Sequence, residues 1–232
     1  MVDFNSLIKA LVKQSEPEVY TDGTEQELRQ TRLGQLLTAD WHQNLIMSGR
    51  AFSADYGTIA ATDITALTGN AAVDLDQPEI VIGVDTGFLI PMEIEIDIQV
   101  NDDDAYDDIT RIAFFADRTD NVADAAATAT VETPLNMLDG GESFSGRSFS
   151  IVTSNITAPV PADYLGGATW TNIQLAAEVG GLPTTNKHLH KIFTHPKLLR
   201  GPCSIVGWIT GTNTPTFTGS VKFAHVPASW FA

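Results

Sequence analysis

Residues 92–100 read Met92-Glu93-Ile94-Glu95-Ile96-Asp97-Ile98-Gln99-Val100. Five apolar residues alternate with four polar ones. A period of two is that of a β-strand with one face on a core and the other in water. The spacing predicts Met92, Ile94, Ile96, Ile98 and Val100 inward, with Glu93, Glu95, Asp97 and Gln99 outward.

The same grammar continues on both sides. Upstream, 79–84 (EIVIGV) runs into the turn signal Asp85-Thr86-Gly87, and 45–56 (LIMSGRAFSADY) predicts a strand with Ile46, Phe52 and Tyr56 on one face. Downstream, strands are predicted over 109–116, 148–153, 168–176, 203–210 and 216–225. Asp139-Gly140-Gly141, Gly166-Gly167, Gly180-Gly181 and Gly211-Thr212-Asn213 punctuate them. Short strands with Gly-rich connections and no βαβ rhythm predict a mainly β fold, an antiparallel β-sandwich of jelly-roll-like or immunoglobulin-like type.

The N-terminal segment differs. Phe4, Leu7, Ile8, Leu11 and Val12 follow the i, i+3, i+4, i+7, i+8 rule of an amphipathic helix that Asp3 caps. A helix of about twelve residues is marginal alone in water, so its stripe has to dock on something. Over 24–44, Leu28, Leu33, Leu36, Leu37 and Trp41 fit a helix that Gly34 weakens by about 1 kcal/mol relative to Ala. The expected organisation is an arm over 1–44 and a β-sandwich domain over 45–232.

Charge is unevenly placed along the 232 residues, whose formal net charge is −16. Such a balance repels phosphate backbones and argues against nucleic acid as a partner. Residues 73–124 hold 15 acids against Arg111 and Arg118, whereas 187–232 hold Lys187, Lys191, Lys197, Arg200 and Lys222 with no acid. An acidic middle and a basic tail attract each other, within a molecule or between neighbours. No apolar run approaches the ~18 residues of a membrane helix. The N-terminus lacks a secretory pattern, so a soluble product kept in the cytoplasm until packaged is expected. The single cysteine, Cys203, reads as a buried strand thiol.

Chemical motifs are scarce. Asp102, Asp104 and Asp108, within an acidic run just after the clearest strand, offer oxygen ligands for Ca²⁺. The run lacks EF-hand spacing, and a solvated hairpin tip is the plainer reading. His188 and His190, with His195 nearby, suggest Zn²⁺. No local acid accompanies them, and Lys187, Lys191 and Lys197 oppose a cation, so a basic contact surface is preferred. Nucleophile elbow, phosphate loop and C-x-x-C are all lacking. Neither enzymatic activity nor a cofactor is expected.

The passage 28–43 (LRQTRLGQLLTADWHQ), followed by Gly49-Arg50-Ala51-Phe52 and Tyr56-Gly57-Thr58, resembles virion structural proteins of tailed phages, and within them head decoration (cement) proteins. The resemblance implies a homotrimer on the capsid exterior that stabilises the shell by binding neighbouring major-capsid subunits. Contacts are then expected from Phe4, Leu7, Ile8 and Leu11 of the arm, from Leu28, Leu33, Leu36 and Trp41 behind it, and from Lys187, Lys191, Lys197 and Arg200. The alternative is a tail or head-fibre module that contacts host glycan.

Overall fold

The computed structural model describes residues 40–57, 64–65, 75–99, 108–119, 129–150, 152, 159–172, 187–211 and 215–231. The predicted helix over 4–12 and the rest of the arm up to residue 39 lie outside these, as do Asp102 and Asp104.

The described chain is mainly β, in two antiparallel sheets. A short helix, α1 (Trp41–Met47), leads into β1 (Ala51–Tyr56), β2 (Ile64–Thr65), β3 (Ile80–Val84), β4 (Phe88–Gln99) and β5 (Asp108–Asp117). Then come β6 (Thr130–Val131), β7 (Leu135–Asn136), β8 (Arg147–Ser150), β9 (Pro161–Asn172) and β10 (Lys187–Ile192). The last strands are β11 (Leu199–Arg200), β12 (Cys203–Gly211) and β13 (Thr216–Val226), before a 3-10 turn, Ala228–Phe231. One sheet has the order β10-β4-β13-β1-β7, with β11 also on β4 and β2 on β13; the other runs β6-β8-β3-β12-β5-β9.

The sheets share one core. Phe52, Tyr56, Ile94, Ile96, Phe217 and Phe223 come from the first sheet; Ile80, Ile82, Phe114, Ile205 and Ile209 come from the second. Each such side chain contributes roughly 1.5–3 kcal/mol on burial. Phe223 sits against Phe52 (centroids 5.8 Å apart) and edge-on to Phe144 (5.0 Å).

The deciding strand departs from its predicted pattern at one end. Lys222 of β13 opposes Glu93, but Phe223 opposes Pro91, which leaves Met92 as the extra residue of a β-bulge. Beyond the bulge the faces exchange. Ile94, Ile96 and Ile98 enter the shared core. Met92 packs instead with Ile90, Leu45, Ala51, Ala224 and Val226 on the outer side of that sheet.

α1 helps to build this outer cluster, and it replaces the front of the strand predicted over 45–56. Asp40 caps it, accepting from the Gln43 amide at 2.8 Å, and the chain leaves through Ser48 and Gly49 at φ 69. Ile46 is therefore helical and packs on the outer cluster, while Phe52 and Tyr56 face the core from β1. The division expected after residue 44 falls inside this helix.

β9 starts seven residues before the predicted 168–176, and Gly166-Gly167 lie within it rather than in a turn. Phe114 opposes Gly166 and Phe115 opposes Tyr164, so Leu165 bulges out of register and into the core. A Cβ on Gly167 would stand 2.3 Å from the Ile112 carbonyl oxygen. The glycine serves close strand approach, not chain reversal.

β12 is buried on both faces, with Val206 and Trp208 joining Val81, Phe149 and Val152 behind the second sheet. Cys203 is buried as expected, its thiol 3.4 Å from the Leu199 carbonyl oxygen. Trp170 packs on the shared core, and Trp41 and Trp230 on the outer cluster. Among the described residues, no helix is long and apolar enough to cross a membrane.

Candidate interaction surface

Two edge strands meet on one side of the molecule. β9 ends the second sheet, β10 ends the first, and they lie against one another. Each has a strand partner on one side only among the described residues: β5 for β9, and β4 for β10. β11 continues the β10 edge along β4, where Arg200 pairs with Phe88. Unpaired backbone along an edge invites pairing with another chain unless it is blunted.

Large apolar side chains are exposed on and next to these strands, and Tyr164 and Ile192 line one cavity. Tyr164 is 59% exposed, Ile192 54%, Val160 52% and Leu198 44%. Tyr164 leans on Phe115, 5.2 Å between centroids. Beside them a cavity of about 260 Å³ is lined by Tyr164, Leu165, Lys191, Phe193, His195 and Lys197.

Cations frame the apolar patch. Lys191 Nζ stands 5.2 Å from the centre of the Phe193 ring, a cation–π contact. Asp163 collects Arg118, which donates through Nε at 2.9 Å and Nη2 at 2.5 Å, and Lys197, which donates to its other oxygen. The hydrogen bonds from Lys197 and Arg118 hold the Asp163 carboxyl below the usual carboxylate range.

The structure thus brings Lys191 and Lys197 together at one edge and leaves Arg200 exposed further along it. Lys187 does not belong with them. It is 1% exposed, and its Nζ donates to Thr110 Oγ1 of β5 at 2.7 Å, so it cannot serve as a surface contact. Residue 187 starts the strand on the core-facing side, which its charge gave no hint of. Trp41 packs on the chain's own outer cluster. Phe4, Leu7, Ile8, Leu11, Leu28, Leu33 and Leu36 lie outside the described residues, and Asp108 opens β5 with its side chain outside the description.

Tyr164, Val160, Ile192 and Leu198 were not among the expected contacts. Ile192 was the findable one: it follows His188 and His190 at every second residue, so it had to share their exposed face.

The acidic middle and the basic tail do meet within the chain. His188 lies opposite Asp97 and His190 opposite Glu95 across the β10–β4 pair, and Lys222 of β13 lies opposite Glu93. His188 Nδ1 is 2.6 Å from Asp97 Oδ1, His190 Nε2 is 3.1 Å from Glu93 Oε1, and Lys222 donates to Glu93 Oε2 at 3.0 Å. Partial burial works to raise the Glu93 carboxyl, but Lys222 and then His190 outweigh it and hold the group below its ordinary value.

One serine–histidine pair occurs elsewhere. His225 Nε2 donates to the Thr86 carbonyl at 2.9 Å, which leaves Nδ1 to accept from Ser145 Oγ at 3.3 Å. The imidazole is oriented by a backbone carbonyl, where a catalytic triad uses a carboxylate.

No protein-family model, curated protein or solved structure matches this chain.

Proposed function

We propose that the chain is a structural virion protein, a jelly-roll-like β-sandwich that decorates a tailed-phage capsid and stabilises it by binding neighbouring major-capsid subunits, with no catalytic step. The observation that carries this reading is the β9/β10 edge. Exposed Tyr164 and Ile192, beside Lys191 and Lys197, sit on two strands that each have a strand partner on one side only among the described residues, on a chain of net charge −16. An apolar centre rimmed by charges is the anatomy of a subunit interface. A cationic rim suits a second acidic surface, which another copy of this chain supplies in a homotrimer and a capsid subunit supplies beneath it. The apolar stripe predicted over 4–12, ahead of α1, provides the second contact by docking on the neighbour.

The test is co-sedimentation of the purified chain with tailed-phage capsid shells, comparing the full chain with one lacking residues 1–15. Saturable binding that raises the shell's heat resistance, and that weakens at least tenfold in the shortened chain, supports the reading. Absence of binding by the full chain, or equal clamping by the shortened one, overturns it. A glycan array reports the alternative of a host-binding module, since decoration requires no sugar.

A further inference from the structure

The outer face of β4 and β10 carries a second feature, independent of the edge and of the capsid reading. His188 and His190 occupy alternate exposed positions of β10, directly opposite Asp97 and Glu95. One donor atom each from Glu95, Asp97 and His188 lies within 4.8 Å of the other two. Ligands held about 2.1 Å from a tetrahedral ion sit about 3.4 Å from one another. The three groups therefore need only small rotamer adjustments to converge on one ion.

The partners of the neighbouring carboxylates single out Glu95. Asp97 engages His188, and Glu93 is taken by Lys222 and His190. The carboxylate of Glu95, half-buried between them, has no side-chain hydrogen bond or ion pair among the described residues. Two objections raised by the sequence also disappear. The missing carboxylates arrive from the paired strand β4. The three lysines turn elsewhere: Lys187 to Thr110 in the interior, Lys191 over Phe193, and Lys197 to Asp163. His195 does not join the pair; it lines the edge cavity and contacts Thr194.

We propose that Glu95, Asp97 and His188 bind a divalent transition-metal ion of the zinc class, the fourth position being left to water or to His190, whose ring centre is 5.9 Å from that of His188. An imidazole with two carboxylates suits Zn²⁺ and disfavours Ca²⁺, which takes oxygen ligands only. The ion would tie the edge strand β10 to β4 through side chains as well as backbone.

Isothermal titration of the metal-free full chain with Zn²⁺, and separately with Ca²⁺, tests this at neutral pH. One Zn²⁺ per chain is expected, weakened at least tenfold in both His188→Ala and Glu95→Gln, unchanged in His195→Ala, and with no comparable Ca²⁺ heat. Metal-free melting curves of the variants are compared with the parent, so that only variants with parental melting are scored. Absence of Zn²⁺ binding, binding equal to the parent in His188→Ala or Glu95→Gln, or loss in His195→Ala overturns the assignment.

Discussion

Lys187 Nζ donates to Thr110 Oγ1 at 2.7 Å, a polar contact between the edge strand of one sheet and an inner strand of the other. Both residues are buried. An ammonium there depends on every acceptor that it has. Thr110→Val keeps the shape and removes one acceptor. Destabilisation of about 1–3 kcal/mol is expected, measured as a fall in the denaturant midpoint with unchanged slope.

The shared core concentrates its aromatic packing on Phe223, which is fully buried between Phe52 and Phe144. Phe223→Ala removes a ring from a site flanked by sheet on both sides, where collapse is restricted. A loss of about 3–5 kcal/mol is expected in equilibrium unfolding. A loss below 1 kcal/mol would mean that the core repacks.

Asp163 links Arg118 at the end of β5 with Lys197 beyond β10. Its folded-state pKa is depressed, first by the Lys197 hydrogen bond and then by Arg118. A depressed carboxyl stabilises the fold fully above its unfolded value of about 3.9, and that stabilisation fades as pH falls through the folded value. The parent is therefore expected to melt higher than Asp163→Asn at pH 6, with the gap closing as pH drops below about 4. Thermal melts of both proteins across that range check it. A gap that stays constant with pH contradicts the pairing.

Much of the fold was legible because the period-two signal is local. Ile94, Ile96 and Ile98 went where alternation sent them, as did the strands over 109–116, 203–210 and 216–225. What failed was non-local. Met92 broke the pattern through a register slip against β13, and no feature of β4 alone encodes its partner's offset. Gly167 served close approach to β5 and Gly166 leaves room for the Lys191 side chain of β10, yet the pair is indistinguishable in sequence from a turn. α1 is seven residues long, too short for a helical period to declare itself. At the surface, the complementary charges of the middle and the tail were visible, but which acid meets which base depends on β4 lying between β10 and β13. Lys187 was assigned to the surface by residue type, and its strand position placed it inside.

Under the proposed function, the β9/β10 edge is covered by another polypeptide. Tyr164 and Ile192 are its two most exposed apolar side chains. Sedimentation equilibrium of the full chain against a Tyr164→Ser/Ile192→Ser variant, with circular dichroism to confirm equal folding, measures whether that edge holds copies of the chain together. A trimer is expected for the parent and a shift to monomer for the variant. A parent that remains monomeric at all concentrations, or a variant that associates as strongly as the parent, would contradict it.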